Sequence, residues 1–171
     1  MKNRTYDEFP ASLVLLCASV NILIYLIGAF IVASLNVYAF LVYILYCIWM
    51  EARLLSNSCR YCDYYGKLCA FGKGKICSWF LKKRSEDRLK EKITFYDLIP
   101  DFLVSLIPLA AGVYVLVRSF SWLILGLIVA LLILALPFTG YIRGSIACKF
   151  CKQKENGCGA IQFFEKDEPR V

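Results

Sequence analysis

Two groups of cysteines in this chain have the same spacing, C-x2-C-x6-C. The first group consists of Cys59, Cys62 and Cys69, and the second of Cys148, Cys151 and Cys158. Cys77 follows the first group and has no counterpart after the second. In a reducing compartment, C-x2-C spacing indicates metal binding or redox chemistry more often than a disulfide.

The chain has no histidine, so a soft-metal site would consist of thiolates, with a carboxylate as the other available ligand. Zinc takes four such ligands in a tetrahedron, and iron–sulfur clusters are also held by cysteine thiolates. We predict structural zinc, with an iron–sulfur cluster as the alternative. Reduced thiols that carry lipid near the membrane are the metal-free interpretation. Cys17 and Cys47 lie in apolar stretches, and we expect them only to pack as small hydrophobic side chains.

The seven cysteines allow two arrangements. In the local one, Cys59, Cys62, Cys69 and Cys77 form a closed four-thiolate site. The second group then needs a carboxylate such as Glu155, a water or a substrate as its fourth ligand. In the shared one, the two groups meet and hold metal together. The sequence favours the local arrangement, because it needs no ligand from a distant segment.

Paired C-x2-C-x6-C units resemble the binuclear zinc clusters of fungal transcription factors. The resemblance implies six thiolates around two zinc ions, and it covers only the spacing. We do not extend it to DNA binding, because an apolar hairpin separates the two units here.

Long uncharged runs predict that the chain spans a membrane. It is 60% hydrophobic and 19% charged, whereas soluble domains have about 45–50% apolar and about 25% charged residues. A membrane-spanning helix needs about 20 apolar residues, and no charged residue lies within the runs 9–50, 102–117 and 119–142. We predict four helices: Pro10–Ala33, Val37–Leu55, a third that ends at Arg118, and Trp122 to about Ile142.

The basic residues predict the orientation of these spans. Of the 20 Lys and Arg residues, only Arg118 lies outside the segments 1–8, 53–97 and 143–171. The positive-inside rule therefore predicts that both termini and both cysteine groups are cytoplasmic. The net charge of +7 thus has a topological explanation, and we predict no nucleic-acid partner. We expect contact with anionic lipid headgroups, into which Trp79, Phe80 and Leu81 could dip.

The two halves of the chain match beyond their cysteines. Tyr6-Asp7-x-x-Pro10 matches Tyr96-Asp97-x-x-Pro100 at an offset of 90 residues, and the cysteine groups match at an offset of 89. We predict an all-α membrane protein of two parallel two-helix repeats, residues 1–77 and 94–171, with Cys-rich motifs after helices 2 and 4. A basic interfacial linker, residues 78–93, joins them. Parallel repeats are related by a pseudo-twofold axis along the membrane normal.

The leading functional hypothesis is a non-enzymatic membrane anchor or interaction protein with a structural thiolate metal site and a protein partner. A membrane redox subunit, with an iron–sulfur cluster or a reactive dithiol, is the alternative. A transporter of a soft metal or a thiol compound is the third hypothesis. We expect no charged residue in the middle of a span, which argues against an ion-coupled carrier.

The predicted topology can be tested by thiol labelling. A membrane-impermeant maleimide applied to intact cells should leave Cys59 and Cys158 unlabelled, and permeabilised cells should show both labelled once metal is stripped. Labelling of both residues in intact cells after metal stripping would reverse the topology.

Overall fold

The computed structural model describes residues 5–84 and 95–154, and these are predominantly helical. Four of its helices are long and apolar enough to cross a membrane. This confirms the predicted all-α architecture with four candidate spans. Residues 85–94, which include part of the basic linker, and the end of the tail, with Glu155 and Cys158, lie outside the described residues.

The long helices lie close to the predicted spans, and a further short helix, in the central segment, was not predicted. They are α1 (Ala11–Ala33), α2 (Val37–Asn57), α3 (Lys73–Phe80), α4 (Phe95–Arg118) and α5 (Trp122–Ile133). Asn36 separates α1 from α2, and its side-chain Oδ1 accepts a hydrogen bond of 2.7 Å from the backbone N–H of Ala39. Asparagine is favoured as such an N-cap because it satisfies an otherwise unpaired N–H group.

The fourth span is longer and less regular than predicted. After α5 it continues as a π-helix over Leu134–Phe138, the short α6 (Thr139–Tyr141), and a second π-helix over Ile142–Cys148. Pro137 lies in the first π-helix. Proline cannot donate a backbone hydrogen bond and its ring crowds the preceding turn, which favours local widening. The Thr139 hydroxyl donates 2.7 Å to the Leu134 carbonyl in this stretch.

One compact unit, called the helical unit here, consists of Ala18–Arg53 and Phe95–Gly140. Its core includes Ile31 and Leu131, which are 0% and 1% exposed. The buried Tyr43 hydroxyl donates 2.9 Å to the backbone carbonyl of Val104 on α4. The free carbonyl is available because α4 contains Pro108, which has no N–H to bond to Val104.

Glu51 follows the uncharged run 9–50 and lies in the predicted second helix, Val37–Leu55. It lies within the second candidate span, Val37–Tyr61, and its Oε1 accepts a hydrogen bond of 2.6 Å from the Tyr25 hydroxyl on α1. A hydroxyl donor of this kind partly offsets the cost of removing a carboxylate from water. The expectation of no charged residue in the middle of a span stays a prediction.

A second compact unit, called the cysteine unit here, consists of the described residues within Met1–Cys17, Leu54–Thr94 and Tyr141–Val171. The Phe9 N–H donates 2.9 Å to the Leu68 carbonyl, and the Tyr6 N–H donates 3.0 Å to the Phe150 carbonyl. Tyr6 and Cys151 also form a single parallel β-bridge. The three segments that the sequence predicts on one side of the membrane therefore contact one another.

A Gly28→Ala substitution tests the packing of the helical unit. The added methyl would collide with the Tyr43 hydroxyl and lie 3.2 Å from Cγ of Pro108. We expect a loss of about 1–3 kcal/mol in the free energy of unfolding, as for other overpacked sites.

SDS titration in mixed micelles measures this change. Gly126→Ala is the matched control, since nothing lies within 4 Å of the added methyl there, and it should not lower stability, because Ala has a higher helix propensity than Gly. Equal losses in both variants would contradict the described packing.

Candidate functional site

The first cysteine group lies in a closed loop between α2 and residue 84. Cys59 begins a 3₁₀ turn, Cys59–Tyr61, and Cys77 lies on α3. The loop is closed where the Arg84 N–H donates 3.0 Å to the Arg60 carbonyl. A second closure comes from the Tyr65 hydroxyl, which donates 2.6 Å to the Leu81 carbonyl. Glycine-rich sequence thus forms a compact loop that holds the thiols.

Gly74 allows α3 to pack directly against the loop. Its carbonyl accepts a hydrogen bond of 3.0 Å from the Gly66 N–H. A Cβ at Gly74 would collide with the Tyr64 carbonyl oxygen and lie 2.8 Å from the Lys67 carbonyl oxygen, so no side chain fits there. The Gly74 N–H also approaches Cys69 Sγ, at 3.4 Å. Outer contacts of this kind orient thiolate ligands in metal sites.

Cys77 is the most enclosed thiol of the group, with 0% exposure. Its S–H group donates to the Leu55 carbonyl over 3.6 Å. Burial raises the pKa of Cys77, and the positive charge of Arg60 only partly opposes this effect. Because the thiolate is the form that binds metal, Cys77 would have to give up this hydrogen bond in order to act as a ligand.

The two cysteine groups meet through a reciprocal pair of hydrogen bonds. The Asp63 N–H, directly after Cys62, donates 2.9 Å to the Gln153 side-chain oxygen. The Lys152 N–H, directly after Cys151, donates 2.9 Å to the Tyr64 hydroxyl. At the motif offset of 89 residues, Asp63 corresponds to Lys152 and Tyr64 to Gln153. Exchanging the halves therefore converts one hydrogen bond into the other, as at an interface with twofold symmetry.

Tyr64 joins all three segments of the cysteine unit. Its side chain is 2% exposed, and its hydroxyl donates to the Tyr6 carbonyl while it accepts from the Lys152 N–H. Burial raises the pKa of Tyr64 to about 12, and the nearby Cys151 and Cys62 add to the effect. The phenol is therefore neutral at physiological pH and can act as donor and acceptor together.

An apolar cluster surrounds this junction. Phe9 lies 5.6 Å from Tyr64 between ring centroids, and Tyr6 lies 5.4 Å from Phe150. Three thiols pack against the same cluster, namely Cys62, Cys69 and Cys151. Cysteines of both motifs thus share one environment. Outside it, Cys17 and Cys47 are buried at 1% and 7% exposure, as expected of packing residues.

Thiols are a ligand type that soft metals bind, but the described thiols do not form a complete ligand set. Among residues 5–84 and 95–154, no three Cys, Asp or Glu side chains are close enough to hold one ion. This holds for the described cysteines of both predicted arrangements, and the local site of Cys59, Cys62, Cys69 and Cys77 stays a prediction. Cys148 ends the second π-helix, next to the second motif's turn, while the third thiol of that motif, Cys158, lies outside the described residues.

Sequence analysis missed Tyr64 and Gln153, the two side chains that join the motifs. Both follow the second cysteine of a motif by two positions. Their chemical types differ, so residue identity alone does not reveal the match. Aligning the motifs and asking which side chains could accept a backbone N–H would have found both, since a phenol and an amide each can.

A Tyr64→Phe substitution tests the junction. It removes a partner from the Lys152 N–H and from the Tyr6 carbonyl, so we expect a loss of about 1–3 kcal/mol. The opening of the cysteine unit should rise on the order of tenfold, which mass spectrometry measures as faster thiol labelling of the enclosed Cys77.

The pH dependence gives an independent check. The folded-state pKa of Tyr64 is raised from 10.0 to about 12, so its contribution is complete below pH 10 and is lost between pH 10 and 12. The ratio of variant to native labelling rates should therefore fall towards one across that range. Tyr38→Phe, at a residue that is 77% exposed, should label like the native chain; an equal increase there would contradict the role of Tyr64.

Comparison with known proteins gave no match. No protein-family model matches the chain, and no curated protein or solved structure matches it either. The chemistry of the cysteine unit is therefore inferred from its own residues.

Proposed function

We propose that this chain is a non-enzymatic membrane anchor or interaction protein whose cysteine unit is cytoplasmic and binds zinc through thiolates of both motifs. The membrane part rests on the four candidate spans. The cytoplasmic side rests on the basic residues, nearly all of which lie in the three segments that contact one another. The proposed fold is two parallel repeats related by a pseudo-twofold axis.

The reciprocal hydrogen bonds of Asp63 and Lys152 are the observation that carries the shared metal site. They join the two motifs directly after Cys62 and Cys151, and these two thiols pack against one cluster. A shared site would therefore include these two cysteines as thiolate ligands, one from each motif. The further ligands that the repeated spacing supplies are Cys59, Cys69, Cys148 and Cys158.

The state of Cys77 also supports sharing between the motifs. Its S–H group donates a hydrogen bond to the Leu55 carbonyl. A ligand at this position would have to give up that hydrogen bond. The repeated cysteines need no help from Cys77, which has no counterpart in the second half.

A bound zinc ion would close a structural site and add its binding free energy to the folding of the cysteine unit. The side chains of Tyr64 and Gln153 keep the two motifs aligned through their hydrogen bonds. The unit would thus be a stable platform for a protein partner next to the membrane.

Metal analysis of purified variants tests the shared site. We expect bound zinc in the native chain, and a loss of most of it in Cys62→Ser and in Cys151→Ser, because opening one shared ligand set affects both motifs. Cys77→Ser and the control Cys47→Ser, in the helical unit, should retain the metal.

Two other outcomes would contradict the proposal in different ways. If Cys77→Ser loses the metal while Cys151→Ser keeps it, the site is local. If the native protein is brown after anaerobic purification and contains iron and sulfide in place of zinc, the redox hypothesis replaces zinc.

A further inference from the structure

Helix α3 presents an apolar stripe that nothing in the cysteine unit covers. Ile76, Trp79 and Phe80 are 42%, 71% and 75% exposed. Their spacing of i, i+3 and i+4 puts them on one face of a helix. Gly74 and Cys77, which are buried, lie on the other face. In the described part of the central segment, residues 54–84, these are the large hydrophobic side chains most open to the surroundings.

Basic residues flank this stripe. Lys75 is exposed on α3 itself, and Lys82, Lys83 and Arg84 are exposed directly after it. An apolar face with Trp and Phe, bordered by Lys and Arg, is the composition of helices that lie in a membrane interface. The aromatic rings favour the headgroup level, and the positive charges complement anionic lipids.

The chain itself keeps this stripe near a bilayer. Only residues 58–72 separate α3 from α2, whose helix belongs to the second candidate span. So short a connection holds α3 at a high effective concentration at the membrane surface. A soluble partner would have to compete with a lipid surface that is always present.

We propose that Ile76, Trp79 and Phe80 form a lipid-docking face that inserts into the headgroup region of an anionic bilayer. The flanking Lys75, Lys82, Lys83 and Arg84 bind the lipid phosphates or carboxylates. The buried face of α3, held by Gly74, transmits this attachment to the cysteine loop. The face is independent of metal binding, since none of its residues is a thiol.

Fluorescence of Trp79 tests the proposal in full-length protein reconstituted into vesicles. The contribution of Trp79 is the difference between the native chain and Trp79→Phe, which leaves Trp49 and Trp122 in place. In phosphatidylcholine–phosphatidylserine vesicles, lipids brominated near the headgroup should quench the Trp79 emission, and aqueous acrylamide should quench it weakly.

Charge variants provide a second measurement. Replacing Lys82, Lys83 and Arg84 by Gln should reduce the quenching by brominated lipid and increase that by acrylamide, and high salt should act in the same direction. The matched control replaces Arg118, the one basic residue outside the cytoplasmic segments, and should have no effect. Slow labelling of Cys77 checks that each variant keeps its fold.

Two results would overturn the proposal. Strong acrylamide quenching without lipid quenching would show that the stripe faces water. Protection from both quenchers would show that a protein surface, such as a second copy of the chain, covers it. Neither result depends on zinc, so the proposal can fail while the metal site stands.

Discussion

The cysteine unit depends on one buried polar junction, in which a backbone N–H of each motif donates a hydrogen bond to a side chain of the other motif. Tyr64 joins three segments there: its hydroxyl donates a hydrogen bond to the Tyr6 carbonyl of the N-terminal segment and accepts one from the Lys152 N–H of the tail. A buried polar group without a partner is costly, so these bonds permit few alternative alignments of the three segments. The aromatic rings of Phe9 and Phe150 pack beside the junction.

The loop that carries the first motif is shaped by close backbone contact. Gly74 lets α3 approach the Tyr64 and Lys67 carbonyls more closely than any side chain would allow. The same packing encloses Cys77 and turns Ile76, Trp79 and Phe80 outward. One glycine therefore links the surroundings of the thiols to the proposed lipid-docking face.

The proposed function follows from a division of roles between two compact units. The helical unit contains apolar packing around Tyr43 and a Tyr25–Glu51 hydrogen bond, which are features of a stable bundle. The thiols with the spacing of a metal site belong to the other unit. The hydrogen bonds of the junction hold the three segments of that unit in one alignment, on which a partner could bind. A metal would further stabilise the same alignment.

The sequence alone determined the four spans and nearly all of their boundaries, because the length of an uncharged run directly limits a membrane helix. It also determined which segments carry the thiols and the basic residues. It could not reveal the extension of the fourth span to Cys148, which depends on how the turns around Pro137 widen, nor the hydrogen bond that joins Glu51 to Tyr25 on another helix. Only the tertiary structure decided which residues join the motifs. Asp63 and Lys152 act through their backbone N–H groups, which every residue except proline possesses, and their partners Tyr64 and Gln153 differ in type. Contacts of this kind leave no pattern in a single sequence, since they arise from the alignment of distant segments in space.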